Sequence, residues 1–141
     1  MPRLMNNPLP IEFVQRGDNI LLRFEEDDNE RWIYMEQASQ ASTGGPSLLG
    51  HSTGRWDGDS LVVETTNIEA GRLDSGGTPF SSSIRLLERF TPNPDGSRLD
   101  YRLAVTDPDT FTAPFEVGRY WIWRPEIVVG EYRCEEEQEF D

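Results

Sequence analysis

From Arg98 to Thr106 the chain alternates with a nearly perfect period of two: Leu99, Tyr101, Leu103 and Val105 on one side, Arg98, Asp100 and Arg102 on the other. Successive side chains of an extended strand point to opposite faces, so this rhythm demands a strand with one greasy and one wet face. The same rhythm recurs along the chain. Ile11–Arg16, Asn19–Glu25, Arg31–Met35, Ser52–Trp56, Ser60–Thr66, Ile84–Phe90, Arg98–Thr106, Phe115–Arg124 and Ile127–Cys134 all read as strands bounded by Gly, Asn, Asp or Pro. Asp57-Gly58 marks a tight hairpin turn, because both residues tolerate positive φ. Pro92-Asn93-Pro94-Asp95-Gly96 and Asp107-Pro108-Asp109 are further turns.

Eight or nine short strands joined mostly by hairpins leave edges that must be protected. A single antiparallel, lipocalin-like β-barrel does this, and a two-sheet β-sandwich is the alternative. The expected organisation is an extended arm over 1–10, a barrel domain over 11–134 and an acidic tail over 135–141. Two polar stretches, Gln37–Gly50 and Asn67–Ser82, read as long loops of the kind that line binding sites. No helical period and no internal repeat is evident.

Composition removes several classes of function. With 13 basic and 26 acidic residues, the net charge of −13 repels a phosphate backbone and an anionic membrane surface. No apolar run is long enough to insert across a bilayer as a helix. One cysteine, Cys134, makes no internal disulfide, and with a single histidine no metal centre of the usual His or Cys type can form. No cofactor is expected, since no Gly-rich phosphate loop is present. The expected partner is a small hydrophobic or aromatic molecule, with a homodimer left open.

The aromatic residues suit the interior of a barrel. Trp32, Trp56, Tyr101, Phe115, Trp121 and Trp123 are read as filling or lining it. Glu88 shares a face with Ile84, Leu86 and Phe90, so if that face is the interior a carboxylate is buried. A buried carboxylate demands a cation, and Arg119, on the face of Val117, Trp121 and Trp123, is the expected partner. His51 sits at a loop-to-strand junction, where the mouth of a barrel presents side chains. It reads as a ligand-binding residue with Trp56, Tyr101, Arg119, Trp121 and Trp123. The competing reading is a cofactor-independent lyase, isomerase or hydrolase, with His51 and either Glu88 or Asp107 as acid and base. A structural or assembly role is the third. Asp107 taken alone is read as a turn former.

The run Gly50-His51-Ser52-Thr53-Gly54-Arg55-Trp56-Asp57-Gly58-Asp59-Ser60-Leu61-Val62-Val63-Glu64-Thr65 resembles the Gly-His-Ser-x-Gly-x-Trp-x-Gly-Asp-x-Leu-Val-Val-Glu-Thr signature of a family of uncharacterised, usually exported bacterial proteins. Met1-Pro2-Arg3, Glu88-Arg89-Phe90, Asp107-Pro108 with Phe111-Thr112, and Glu131-Tyr132-x-Cys134-x-Glu136 resemble other elements of that family, in order. The resemblance implies a lipocalin-like barrel and a periplasmic or secreted location after loss of a leader. It brings no activity. Many members carry His-Pro-His where this chain has Thr78-Pro79-Phe80, so a metal role is not implied here. Many also carry a cysteine upstream of Met-Pro-Arg, which would leave Cys134 without its counterpart.

Overall fold

The computed structural model describes residues 1–6, 9–25, 28–35 and 44–131. Its elements are one helical turn, α1 (Pro2–Met5), and ten strands: β1 (Ile11–Arg16), β2 (Asn19–Phe24), β3 (Glu30–Met35), β4 (His51–Asp57), β5 (Ser60–Thr66), β6 (Gly71–Arg72), β7 (Pro79–Phe80), β8 (Arg85–Pro92), β9 (Arg98–Thr106) and β10 (Phe115–Ile122). Eight strands form one sheet in the order β1-β2-β3-β4-β5-β8-β9-β10, and β6 and β7 form a small ribbon. The large sheet curls strongly into a half-barrel.

The pairing is antiparallel throughout except at β3 and β4, which run parallel with Ile33 opposite Ser52 and Met35 opposite Gly54. The sheet is therefore mixed rather than purely antiparallel. A parallel pair needs a long crossover, and the polar connection over 36–50 has that length. The second expected loop, Asn67–Ser82, holds the β6–β7 ribbon and links β5 to β8, its antiparallel neighbour.

Alternation places the core as the sequence implies. Ile84, Leu86, Glu88 and Phe90 are all buried, as are Tyr101, Leu103 and Val105. Phe13 from β1 packs edge-on against Phe90 from β8, with ring centroids 5.5 Å apart, so the curl brings the two halves of the sheet face to face. The hairpin between β4 and β5 closes one residue later than the Asp57-Gly58 reading. Asp57 pairs with Ser60, and Gly58-Asp59 form the loop. Of these two loop residues only Gly58 carries a positive φ, at 59°, as a turn with glycine in the first central position requires.

One expected strand is not found where it was placed. Residues 127–131 are irregular, so no hairpin follows β10 over the described residues. Cys134, the closing Glu-Tyr-x-Cys-x-Glu element beyond Glu131, and the 135–141 tail lie outside the described residues.

Candidate functional site

The interior of the half-barrel is crossed by a diagonal row of polar side chains, one from each of five adjacent strands: Arg31 (β3), Ser52 (β4), Thr65 (β5), Glu88 (β8) and Tyr101 (β9). Arg31 and Glu88 are 1% and 0% exposed. The pair is bidentate: Nη2 donates to Oε1 at 2.5 Å and Nη1 to Oε2 at 3.1 Å. Arg31 Nε and Nη2 also donate to Ser52 Oγ at 3.2 and 3.0 Å, and Nη2 to Thr65 Oγ1 at 2.8 Å. The Tyr101 hydroxyl donates to Glu88 Oε2 at 2.8 Å. Met5 lies over the pair, with its Sδ 3.6 Å from Arg31 Nη1.

All three guanidinium nitrogens of Arg31 and both carboxylate oxygens of Glu88 are hydrogen-bonded. Burial pushes the Tyr101 hydroxyl well above its usual titration range, and the Glu88 charge adds to that. The phenol stays protonated and keeps donating. Such a row locks the relative positions of five strands and offers no open valence for chemistry.

Arg31, not Arg119, is therefore the partner of Glu88. The signal was present in the alternation of β3. Arg31, Ile33 and Met35 share one face, and Trp32 and Tyr34 the other. Reading Trp32 as interior hides Arg31. The structure instead leaves Trp32 partly exposed on the outer face and buries Arg31, Ile33 and Met35.

His51 does not join Glu88. Ser52 sends its hydroxyl inward to Arg31, so its neighbour His51 lies on the outer face. There the imidazole stacks on Tyr34, with centroids 5.3 Å apart and planes 16° apart, and Tyr34 in turn stacks on Trp32. Asp107, buried in the loop after β9, is occupied as well. Its Oδ2 accepts from the Ser81 N–H at 2.7 Å and its Oδ1 from the Ser81 hydroxyl at 2.6 Å. Burial pushes its carboxyl up, but the hydrogen bonds from Ser81 and Thr110 outweigh that and hold it below the usual carboxylate range. The expected acid–base pairs are thus not assembled.

The remaining predicted binders separate. Trp123 is 69% exposed beyond the end of β10, and Trp56 is 61% exposed at the rim, so neither fills the interior. Trp121 is partly buried among Phe90 and Tyr101. Its indole N–H is buried without a hydrogen-bond partner among the described residues. Arg119 lies 5.0 Å from the Trp121 ring and donates to the Met5 carbonyl at 2.7 Å, tying α1 to β10.

Two clefts flank the filled centre. One, of about 250 Å³, lies between α1 and strands β9 and β10, with Met5, Tyr101, Leu103, Val105, Phe115, Val117 and Arg119 in its walls. The other, of about 360 Å³, is bounded by Phe13, Ile20, Trp56, Leu61, Phe90 and Leu99. No group of three or more metal-ligating side chains converges among the described residues.

The motif around His51 reads differently once its contacts are known. Gly50 has φ of 65°, and a Cβ there would sit 2.5 Å from the Thr66 carbonyl oxygen. A Cβ on Gly54 would meet Ile33 Cγ2 at 2.7 Å and Met35 Sδ at 2.9 Å. Ser52 and Thr65 hold Arg31, Val63 is core, and Asp57 and Glu64 pair with Arg89 and Arg85. These positions of the motif hold β4 and β5 against their neighbours in the sheet. Compared with known proteins, the chain matches no family model, no curated protein and no solved structure.

Proposed function

We propose that the protein binds a small apolar or aromatic molecule in the cleft between α1, β9 and β10. The observation that carries this reading is the character of the walls. Leu103, Val105, Phe115 and Val117 supply apolar surface, and Tyr101 and Arg119, two of the residues expected from sequence to bind a ligand, stand in the same cleft. An apolar hollow with a few polar groups converging on it is the usual form of a small-molecule site. A volume of about 250 Å³ suits a compact ligand, at the small end of such sites. An enzymatic reading draws no comparable support, because His51, Glu88 and Asp107 each face a different environment.

The test is a fluorescence titration with the neutral apolar probe N-phenyl-1-naphthylamine. Val117 is 48% exposed, so Val117→Trp fills the cleft from its open side without disturbing the core. Saturable binding to the wild-type chain is expected, weakened at least tenfold (about 1.4 kcal/mol) in the variant, with an unchanged melting temperature. No saturable binding, or equal affinity in both proteins, would overturn the proposal.

A further inference from the structure

We propose that the free edge of β10 pairs with the same edge of a second copy of this chain, continuing the sheet across a two-fold axis. This goes beyond the ligand reading, because it uses the backbone edge and outer face of β10 rather than its inward side chains.

The direction of the edge's hydrogen-bonding groups follows from one contact. The Trp123 N–H donates to the Ser97 carbonyl at 2.8 Å, so these two residues form a hydrogen-bonded pair just beyond the register of β9 and β10. Such pairs alternate along an antiparallel ladder. Phe115, Val117, Arg119 and Trp121 therefore bond to β9, while Glu116, Gly118, Tyr120 and Ile122 aim their N–H and C=O groups away from it. β10 ends the order of the sheet, and no described strand pairs with that side. It has eight residues, with neither proline nor lysine among them to guard the edge. The opposite edge, β1, differs: its Phe13 is folded in against Phe90.

Apolar side chains continue along this border: Tyr120 is 58% and Ile122 50% exposed, and Trp123, just past the strand, is 69% exposed. Charge selects the occupant. The chain as a whole carries −13, so two copies repel over most of their surfaces. On the outer face of β9 and β10 the signs balance: Arg98 and Arg102 against Asp100 and Glu116. Antiparallel pairing centred on Gly118 keeps like faces together and sets Glu116 of each copy opposite Tyr120 of the other. Arg98 already lies over the Tyr120 ring, 5.5 Å from its centroid, so each Glu116 meets a cation. In that register Pro114, which has no N–H, falls opposite Ile122 and ends the ladder. The symmetry closes at two copies.

Light scattering on the full chain, from about 1 to about 100 µM, spans a micromolar Kd. A rise from the 16.1 kDa chain mass to twice that value is expected. Gly118→Pro removes an edge-facing N–H that β9 does not use. Ile122→Lys places a charge on the same border. Both variants should remain at the chain mass with unchanged circular dichroism, and if the proline variant fails to fold, Ile122→Lys decides alone. A wild-type chain that never exceeds its own mass, a dimer that persists in Ile122→Lys, or a mass that climbs beyond two copies would each overturn the proposal.

Discussion

The polar row through the middle of the sheet and the last strand at its border treat backbone and charge in opposite ways. Along the row from Arg31 to Tyr101 two full charges are nearly inaccessible to water, yet each is met by several donors or acceptors. Along β10 the backbone groups of every second residue face outward, and apolar side chains stand in solvent beside them. The first region is complete within one chain. The second is left without a pairing strand among the described residues. The contrast marks where the fold is satisfied and where it is not: the polar groups of the row are spent on one another, whereas β9 and β10 border a cleft and end the sheet.

Breaking the row should have the largest effect. Glu88→Gln leaves Arg31 buried without its counter-charge, and a loss of about 3–5 kcal/mol in denaturant unfolding is expected. The double substitution Arg31→Met with Glu88→Leu removes both charges and should recover most of that loss. A Glu88→Gln variant as stable as the wild type would mean that the row is not closed as described.

Asp107 tests whether loop closure near the open end is electrostatic. Its charge-assisted bonds to Ser81 are worth about 1.5–3 kcal/mol each where well formed. Asp107→Asn should therefore lower stability at neutral pH by an amount on that order. The pH dependence has a definite sign. A carboxyl whose folded pKa lies below its unfolded value stabilises the fold above the unfolded value, and that contribution is lost as pH falls through the folded one. Unfolding free energy of the wild type should decline with acidification from about pH 4 downward, and part of that decline should vanish in Asp107→Asn. Identical acid limbs for the two proteins would remove Asp107 from the account.

The smallest effect belongs to the outer face. His51→Ala gives up one stacked ring on Tyr34, worth about 0.5–1.5 kcal/mol, and should leave probe binding in the cleft unchanged. A large drop in probe affinity in this variant would tie the outer face to the site after all.

Much of this was legible in the residues. The nearly perfect alternation of Leu99, Tyr101, Leu103 and Val105, and the placing of Glu88 among Ile84, Leu86 and Phe90, specified which face of β8 and β9 is buried. The expectation that Trp32 is interior failed on β3 because alternation says only that two faces differ, not which one is inside. On β3 both candidate faces carry large apolar groups, Ile33 and Met35 against Trp32 and Tyr34, so local pattern leaves the choice open. Exposed aromatics are common enough that size alone does not settle it.

The amino-acid sequence alone determined that the chain is built of strands, where most of them turn, and that it carries a net charge of −13, because these follow from neighbours along the backbone and from summed charge. Only the tertiary structure decided that Arg31 answers Glu88, that β3 and β4 run parallel, that His51 is turned outward and that β10 is left at the border. Each of these depends on which strands the curl brings side by side across long stretches of chain, and local alternation narrows such pairings to a choice of faces without naming the partner.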